Sequence, residues 1–314
     1  MKLNAIALAL GLISSSAFAG SVITIDPDGT GSIAAISVST LDWAVGNTLS
    51  LPVTQGSLTP DPNGIIQSFG HSTLAGFFNG NTKQADGGLG TNYNWTYVFG
   101  TQETAMTFGN MTGFGTPTTA GGVNFFQVYY NANASEANML NGTGFNNGKL
   151  IMSGNIVSTL GSFIAEFDQN GPVLGPLDQT GTDNYAGQTS TQGAGGTNLK
   201  GIVKIGYYDT DFFKGIGGDL TIDLQTTNSQ AFAQTDPSSC FWNGTTLIGG
   251  AGQNSTNSAP ASCSNTVGMV NGVQGPNIMF QTDASTSFVV PEPTSMALAG
   301  AGLLSLLGLR RKRA

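Results

Sequence analysis

Apolar and polar residues alternate with a period of two over several short stretches of the chain. Asp219-Leu220-Thr221-Ile222-Asp223-Leu224 is the plainest of them. A half-buried strand requires this pattern, because successive side chains point to opposite faces. In residues 199–207, Leu199, Val203, Ile205 and Tyr207 share one face with Gly201. Lys200 and Lys204 lie on the other, with Ile202 between them. The same reading predicts strands at 22–25, 33–38, 95–99, 104–108, 123–130, 149–153, 162–167, 277–281 and 287–290. Turn signals separate them: Pro62-Asn63-Gly64, Asn79-Gly80, Asn141-Gly142, Asn147-Gly148, Asn243-Gly244 and Asn271-Gly272. Away from the two ends, no stretch keeps a period of 3.6 for three turns. The expected fold is all-β, an antiparallel β-sandwich-like domain, with helices only at the N- and C-terminal ends. Residues 181–197, rich in Gly, Gln, Thr and Ser, read as a long exposed loop.

Composition narrows the function more than the fold. Charged residues are 9% of the chain, and Gly contributes 46 residues. A coiled coil and a charge-driven disordered chain both need far more charge. Between Gly20 and Val290 stand 5 lysines, 17 acidic residues and no arginine, a balance of 5 − 17 = −12. Nucleic acid is therefore an unsuitable partner, and a bidentate arginine clamp on an anionic substrate cannot be built there. Asn, Thr, Ser, Gln and Gly must keep the surface wet instead, a common look for secreted bacterial surface proteins.

The two ends read as addresses. Lys2, the apolar run from Ala5 to Ile13 and the small-x-small site Ala17-Phe18-Ala19 form a secretory signal peptide over residues 1–19. Cleavage then leaves Gly20 first, and the mature β-rich domain is expected over 20–288. At 289–314, Pro291-Glu292-Pro293 is followed by the uncharged run Ser295 to Leu309 and the basic cluster Arg310, Arg311, Lys312 and Arg313. As a helix that run reaches about 22 Å, short of a bilayer core of about 30 Å. The basic tail favours the cytoplasmic side. An ordinary single-span anchor would look similar. This three-part end closely resembles the PEP-CTERM sorting signal. The resemblance implies export through the Sec translocon, transient insertion in the inner membrane of a Gram-negative bacterium, and cleavage near the motif by an exosortase.

Candidate chemistry is sparse. Cys240 and Cys263 are the only cysteines, and in an exported chain an even pair reads as a disulfide. Metal binding and two free thiols are the alternatives. The single histidine, His71, lies in Phe69-Gly70-His71-Ser72-Thr73, which is no nucleophile elbow. A polar turn or strand end is expected there. Glu103, Glu136 and Glu166 are the only glutamates of the mature region, and paired carboxylates would suffice for a glycosidase. Glu166 is expected to face solvent. Asp26-Pro27-Asp28-Gly29-Thr30-Gly31 resembles the start of a calcium loop but lacks further ligands, as does Asp209-Thr210-Asp211. Plain turns are the simpler reading. No catalytic residue, metal ligand or cofactor is assigned. The aromatic pairs Phe77-Phe78, Phe125-Phe126, Tyr129-Tyr130, Tyr207-Tyr208 and Phe212-Phe213 are core residues or sugar-stacking platforms.

Three stretches resemble the flocculation-associated subgroup of PEP-CTERM proteins. They are 183–188 with Gly193-Ala194-Gly195-Gly196, then 227–238, then 270–276 running into 280–284 and Ser287-Phe288. The resemblance implies a non-enzymatic role in cell aggregation or biofilm, with exopolysaccharide or other matrix components as partners. An extracellular carbohydrate-active enzyme and a calcium-dependent lectin are the rival readings.

Overall fold

The computed structural model describes residues 21–52, 64–116, 123–181, 185–216, 221–229, 232–249, 263–265 and 277–289. Every regular element among them is a strand. The first ten are β1 (Ile23–Ile25), β2 (Ile36–Val38), β3 (Thr40–Pro52), β4 (Gly64–Asn79), β5 (Thr82–Lys83), β6 (Asn94–Phe108), β7 (Met111–Gly115), β8 (Phe125–Asn131), β9 (Lys149–Ile156) and β10 (Leu160–Ala165). Four short ones follow: β11 (Phe167–Asp168), β12 (Gly171–Pro172), β13 (Leu174–Pro176) and β14 (Thr189–Thr191). The rest are β15 (Gly193–Tyr208), β16 (Phe213–Lys214), β17 (Thr221–Ser229), β18 (Cys240–Trp242), β19 (Leu247–Gly249), β20 (Ser264–Asn265) and β21 (Ile278–Val289).

The long strands close on themselves. β3 pairs with β4, β4 with β6, β6 with β8 and β8 with β9. β9 pairs with β15, β15 with β17, β17 with β21, and β21 returns to β3. Every pairing is antiparallel, so the architecture is an eight-stranded barrel rather than the expected sandwich. Closure leaves no free edge in the ring. A sandwich and a barrel share the same local alternation. They differ in whether distant strands pair, and the contact of residues 40–52 with 278–289 is carried by no local pattern.

β6 and β15 change partner half-way along. β6 pairs with β8 from Asn94 to Gly100 and with β7 from Thr104 to Phe108. β15 pairs with β10 from Gly193 to Asn198 and with β9 from Val203 onward. β7 and β10 pair with each other. The barrel therefore has an upper half walled by β8 and β9 and a lower half walled by β7 and β10. β21 runs the full height, 12 residues, or about 40 Å at 3.3 Å per residue.

The two halves are filled differently. The upper half packs Trp43, Phe77, Trp95, Tyr97, Phe126 and Phe288, all fully buried. The rings of Trp43 and Tyr97 meet edge to face at 4.8 Å, and those of Phe77 and Trp95 at 5.1 Å. Such contacts add about 0.5–1.5 kcal/mol each beyond burial. The three-stranded sheet β16-β1-β2 closes this end with Ile23, Ile25, Val38 and Phe213. The lower half is lined by hydroxyls: Thr48 bonds Thr282 at 2.8 Å, and Ser50 bonds Ser68 at 2.8 Å.

A second apolar cluster lies outside the ring. Leu49, Phe69 and Met279 point outward from β3, β4 and β21, and Leu177, Tyr185, Phe232, Phe241 and Ile248 cover them. This corrects the expectation of a long exposed loop at 181–197. Tyr185 and Ser190 are buried, and the segment carries β14 and the start of β15. Its polar composition resembles that of a loop, but glycine here serves close approach. A Cβ at Gly195 would run into the backbone of Ser162 and Phe163.

Candidate functional site

Glu103 sits inside the barrel on the inward row of β6, which descends Trp95, Tyr97, Phe99, Thr101, Glu103 and Ala105. Its partner on β4 is Ile66. It is 6% exposed. Ser68 Oγ donates to Glu103 Oε2 at 3.4 Å. Glu103 Oε1 and the Thr159 hydroxyl are both buried without a full hydrogen-bond partner. Burial raises the Glu103 pKa to about 7, against partial relief from the Thr159 and Ser68 hydroxyls. No other charge contributes to that shift. The group is thus a buried carboxyl that titrates near neutrality, and among the described residues no second carboxylate adds to its shift. The Tyr97 hydroxyl above it also lacks a partner, and burial raises its pKa.

His71 is on the outer face of β4, in mid-strand and buried, not in the polar turn or strand end that its neighbours suggested. Its ring stacks on Phe145 at 4.1 Å and tilts against Phe241 at 4.9 Å. Nε2 lies 2.9 Å from Ser238 Oγ. Ser238 Oγ itself donates to the Met139 carbonyl, so the imidazole is the donor in the first contact. Asn47, beside His71 on β3, accepts from Ser238 N at 2.9 Å and donates to the Asp236 carbonyl at 3.1 Å. Burial lowers the His71 pKa to about 3. A neutral, enclosed imidazole with no carboxylate acting on it fastens two covering segments to the barrel wall. It is not poised as a general base.

The remaining candidates resolve one by one. Glu136, in the connection from β8 to β9, is exposed and accepts from Asn133 at 3.3 Å. Glu166 faces solvent beyond β10, as expected. Asp26 accepts from Gly29 N at 3.1 Å and Gly31 N at 3.0 Å, while Asp28 accepts from Thr30 N at 3.1 Å. The loop is closed by its own backbone as a turn. Asp209 pairs with Lys149 at 2.7 Å. Among the described residues no group of three or more His, Cys, Asp or Glu is placed to hold a metal. Of the aromatic pairs, Phe77, Phe126, Phe212 and Phe213 are core, while Tyr207 is exposed. Cys240 and Cys263 form the expected disulfide, with Cα atoms 5.9 Å apart.

The stretches read as flocculation-like come together on one wall. Gly196 of β15 faces Thr227 of β17, which faces Asp283 of β21. Gln234 N, just beyond, donates to Gln281 Oε1 at 2.7 Å. Residues 183–184, 230–231 and 270–276 lie outside the described residues, as do the signal-cleavage positions Ala17, Ala19 and Gly20. The motif Pro291, Glu292 and Pro293 and the tail from Arg310 to Arg313 lie outside them too. Their attachment points are clear: Ser21 N donates to the Phe288 carbonyl at 2.8 Å. The chain enters and leaves the barrel side by side, at the upper end.

Against models of known families, residues 289–313 match the one described as the PEP-CTERM protein-sorting motif. The chain matches no curated protein and no solved structure.

Proposed function

We propose, for a chain that carries the PEP-CTERM motif and is thereby an exported, exosortase-sorted surface protein, that it acts without catalysis as an adhesive component of the extracellular matrix. In this reading it promotes cell aggregation or biofilm together with exopolysaccharide, outside a Gram-negative cell. Sec translocon, inner membrane and exosortase are its partners only during export. The observation that carries the reading is the position of the motif. It begins where β21 ends, so that processing there would free the barrel entire. The convergence of the flocculation-like stretches on β15, β17 and β21 supports it further. The isolation of Glu103 from other carboxylates weighs against the glycosidase alternative, and the self-closed Asp26 loop against the calcium-dependent lectin.

Deletion of the gene tests it. The expected strain makes polysaccharide but disperses, and the wild-type gene restores flocs. A Pro291→Ala, Pro293→Ala gene makes protein without restoring them. If Glu103→Gln, Glu136→Gln or Glu166→Gln alone abolished flocs, with protein folded and released, an enzyme would replace the adhesin.

A further inference from the structure

The outer face of the lower barrel, formed by β6, β7, β10 and the start of β15, is apolar and, among the described residues, uncovered. Register fixes its layout. One row across the strands reads Phe108, Met111, Ile164 and Ala194. The next reads Met106, Gly113, Ser162 and Gly196, and the third contains Gly115 and Leu160. The first row is a ridge. The second falls away after Met106 into a trough of small residues, and Leu160 rises beyond it. Phe108 is 63% exposed and Leu160 72%, with Met106, Met111 and Ile164 also exposed. No charged side chain stands in these rows. The inward neighbours Phe163 and Ala105 are buried or lie against the core, so the exposed set is a true outer face.

We propose that this ridge-and-trough face pairs with the same face of a second copy. Three observations commit it to that occupant. The first is shape: a two-fold axis would lay the ridge of each copy in the trough of the other, the self-complementary contact of a two-fold dimer. The second is area. The five large side chains expose about 500 Å² at roughly 200 Å² for each fully exposed side chain. That is the upper range for a patch on a monomer. Within the ~800 Å² that each partner gives to a standard interface, it would form the apolar fraction of about 65% found in homodimers. The third is placement. Ser21 and Val289 lie at the upper end and Phe108 at the lower, about 40 Å away along the strands. A membrane holding the chain through the segment after Val289 is thus at the wrong end to cover the patch. The outward face of β3 and β4, by contrast, is covered by the chain itself. The inference goes beyond the adhesive reading and does not depend on it.

The test uses protein recovered from the extracellular fraction, followed by sedimentation equilibrium across 1–100 µM, a range set around an affinity of about 10 µM. Wild type should shift from monomer to dimer, and association should persist or strengthen in high salt, because no ion pair is involved. Phe108→Gln with Ile164→Thr should raise the dissociation constant at least tenfold, while Lys204→Gln on the polar wall of β15 should leave it unchanged. A wild-type monomer throughout overturns the proposal. So does a dimer that dissolves in salt, one indifferent to the double variant, or flotation with neutral lipid vesicles in place of self-association. If the double variant misfolds, the salt dependence of the wild type still decides.

Discussion

His71 Nε2 and Ser238 Oγ meet at 2.9 Å across 167 positions of sequence, and around this contact the outer covering is fastened to the barrel. Ser238→Ala leaves the imidazole donor buried without an acceptor, at a cost of about 1–3 kcal/mol. Hydrogen exchange should accelerate over 232–249 while the paired amides of β17 and β21 stay protected. Uniform acceleration in all three regions would show that the contact is not local.

Glu103 and His71 pull stability in opposite directions with pH. Glu103 titrates at about 7 when folded against 4.5 for the ordinary group. Its stabilisation is complete below 4.5 and is lost as pH rises to about 7, at ~1.4 kcal/mol per pH unit. His71 titrates at about 3 when folded against 6.5. Its stabilisation is complete above 6.5 and is lost as pH falls towards 3. Between 4.5 and 6.5 the two slopes cancel. Glu103→Gln should remove the first, so that stability relative to wild type rises by about 1–3 kcal/mol from pH 4.5 to 7. Denaturant unfolding at several pH values measures this, and parallel profiles for the two proteins would refute it.

The disulfide closes a loop with a sequence separation of 23. By loop-closure entropy it contributes about 3 kcal/mol. Cys240→Ser with Cys263→Ser should lower the melting temperature and loosen the three-stranded sheet β18-β19-β20, with the barrel retained. Non-reducing peptide mapping of wild type should give one crosslinked pair, and quantitative labelling of both thiols without reductant would contradict it.

Gly142 has φ of 68° and packs on Cys240, where a Cβ would collide with the carbonyl. Gly206 in β15 has nothing within 4 Å of such an atom. Gly142→Ala should therefore destabilise by more than about 1 kcal/mol, whereas Gly206→Ala should be neutral or stabilising by up to about 1 kcal/mol. Equal melting temperatures for the two variants would exclude the steric account.

Processing is checked by intact mass. Released protein should begin at Gly20 and lack the segment beyond Pro293. Recovery of released protein still ending in Arg310 to Arg313, from cells with an active exosortase, would refute sorting through the motif.

Local pattern revealed the strands but not their closure. The predicted strands 95–99 and 104–108 are one strand, β6, and the predicted strands 277–281 and 287–290 meet in β21 over 278–281 and 287–289. Gly100 to Glu103 and Thr282 to Thr286 looked like breaks because their inward side chains Thr101, Glu103, Thr282 and Thr286 are polar yet buried. β3 and β4 were missed because both their faces are buried over much of their length. Bulges at Asp42/Trp43 and Trp43/Asn47 also break the period. Glu103 could have been placed, since it continues the inward row of Trp95, Tyr97 and Phe99. The bond from His71 to Ser238 could not, because it depends on where a covering segment lands.

β21 lies between two neighbours, with nine registered pairs to β17 and nine to β3. Tension applied through the chain beyond Val289 would run parallel to the strand and load both rows in shear. The rows must slip together rather than unzip in turn, so the rate of forced unfolding governs how long the molecule holds. In a chain held through that end, β21 would thus resist extraction against β17 and β3 at once.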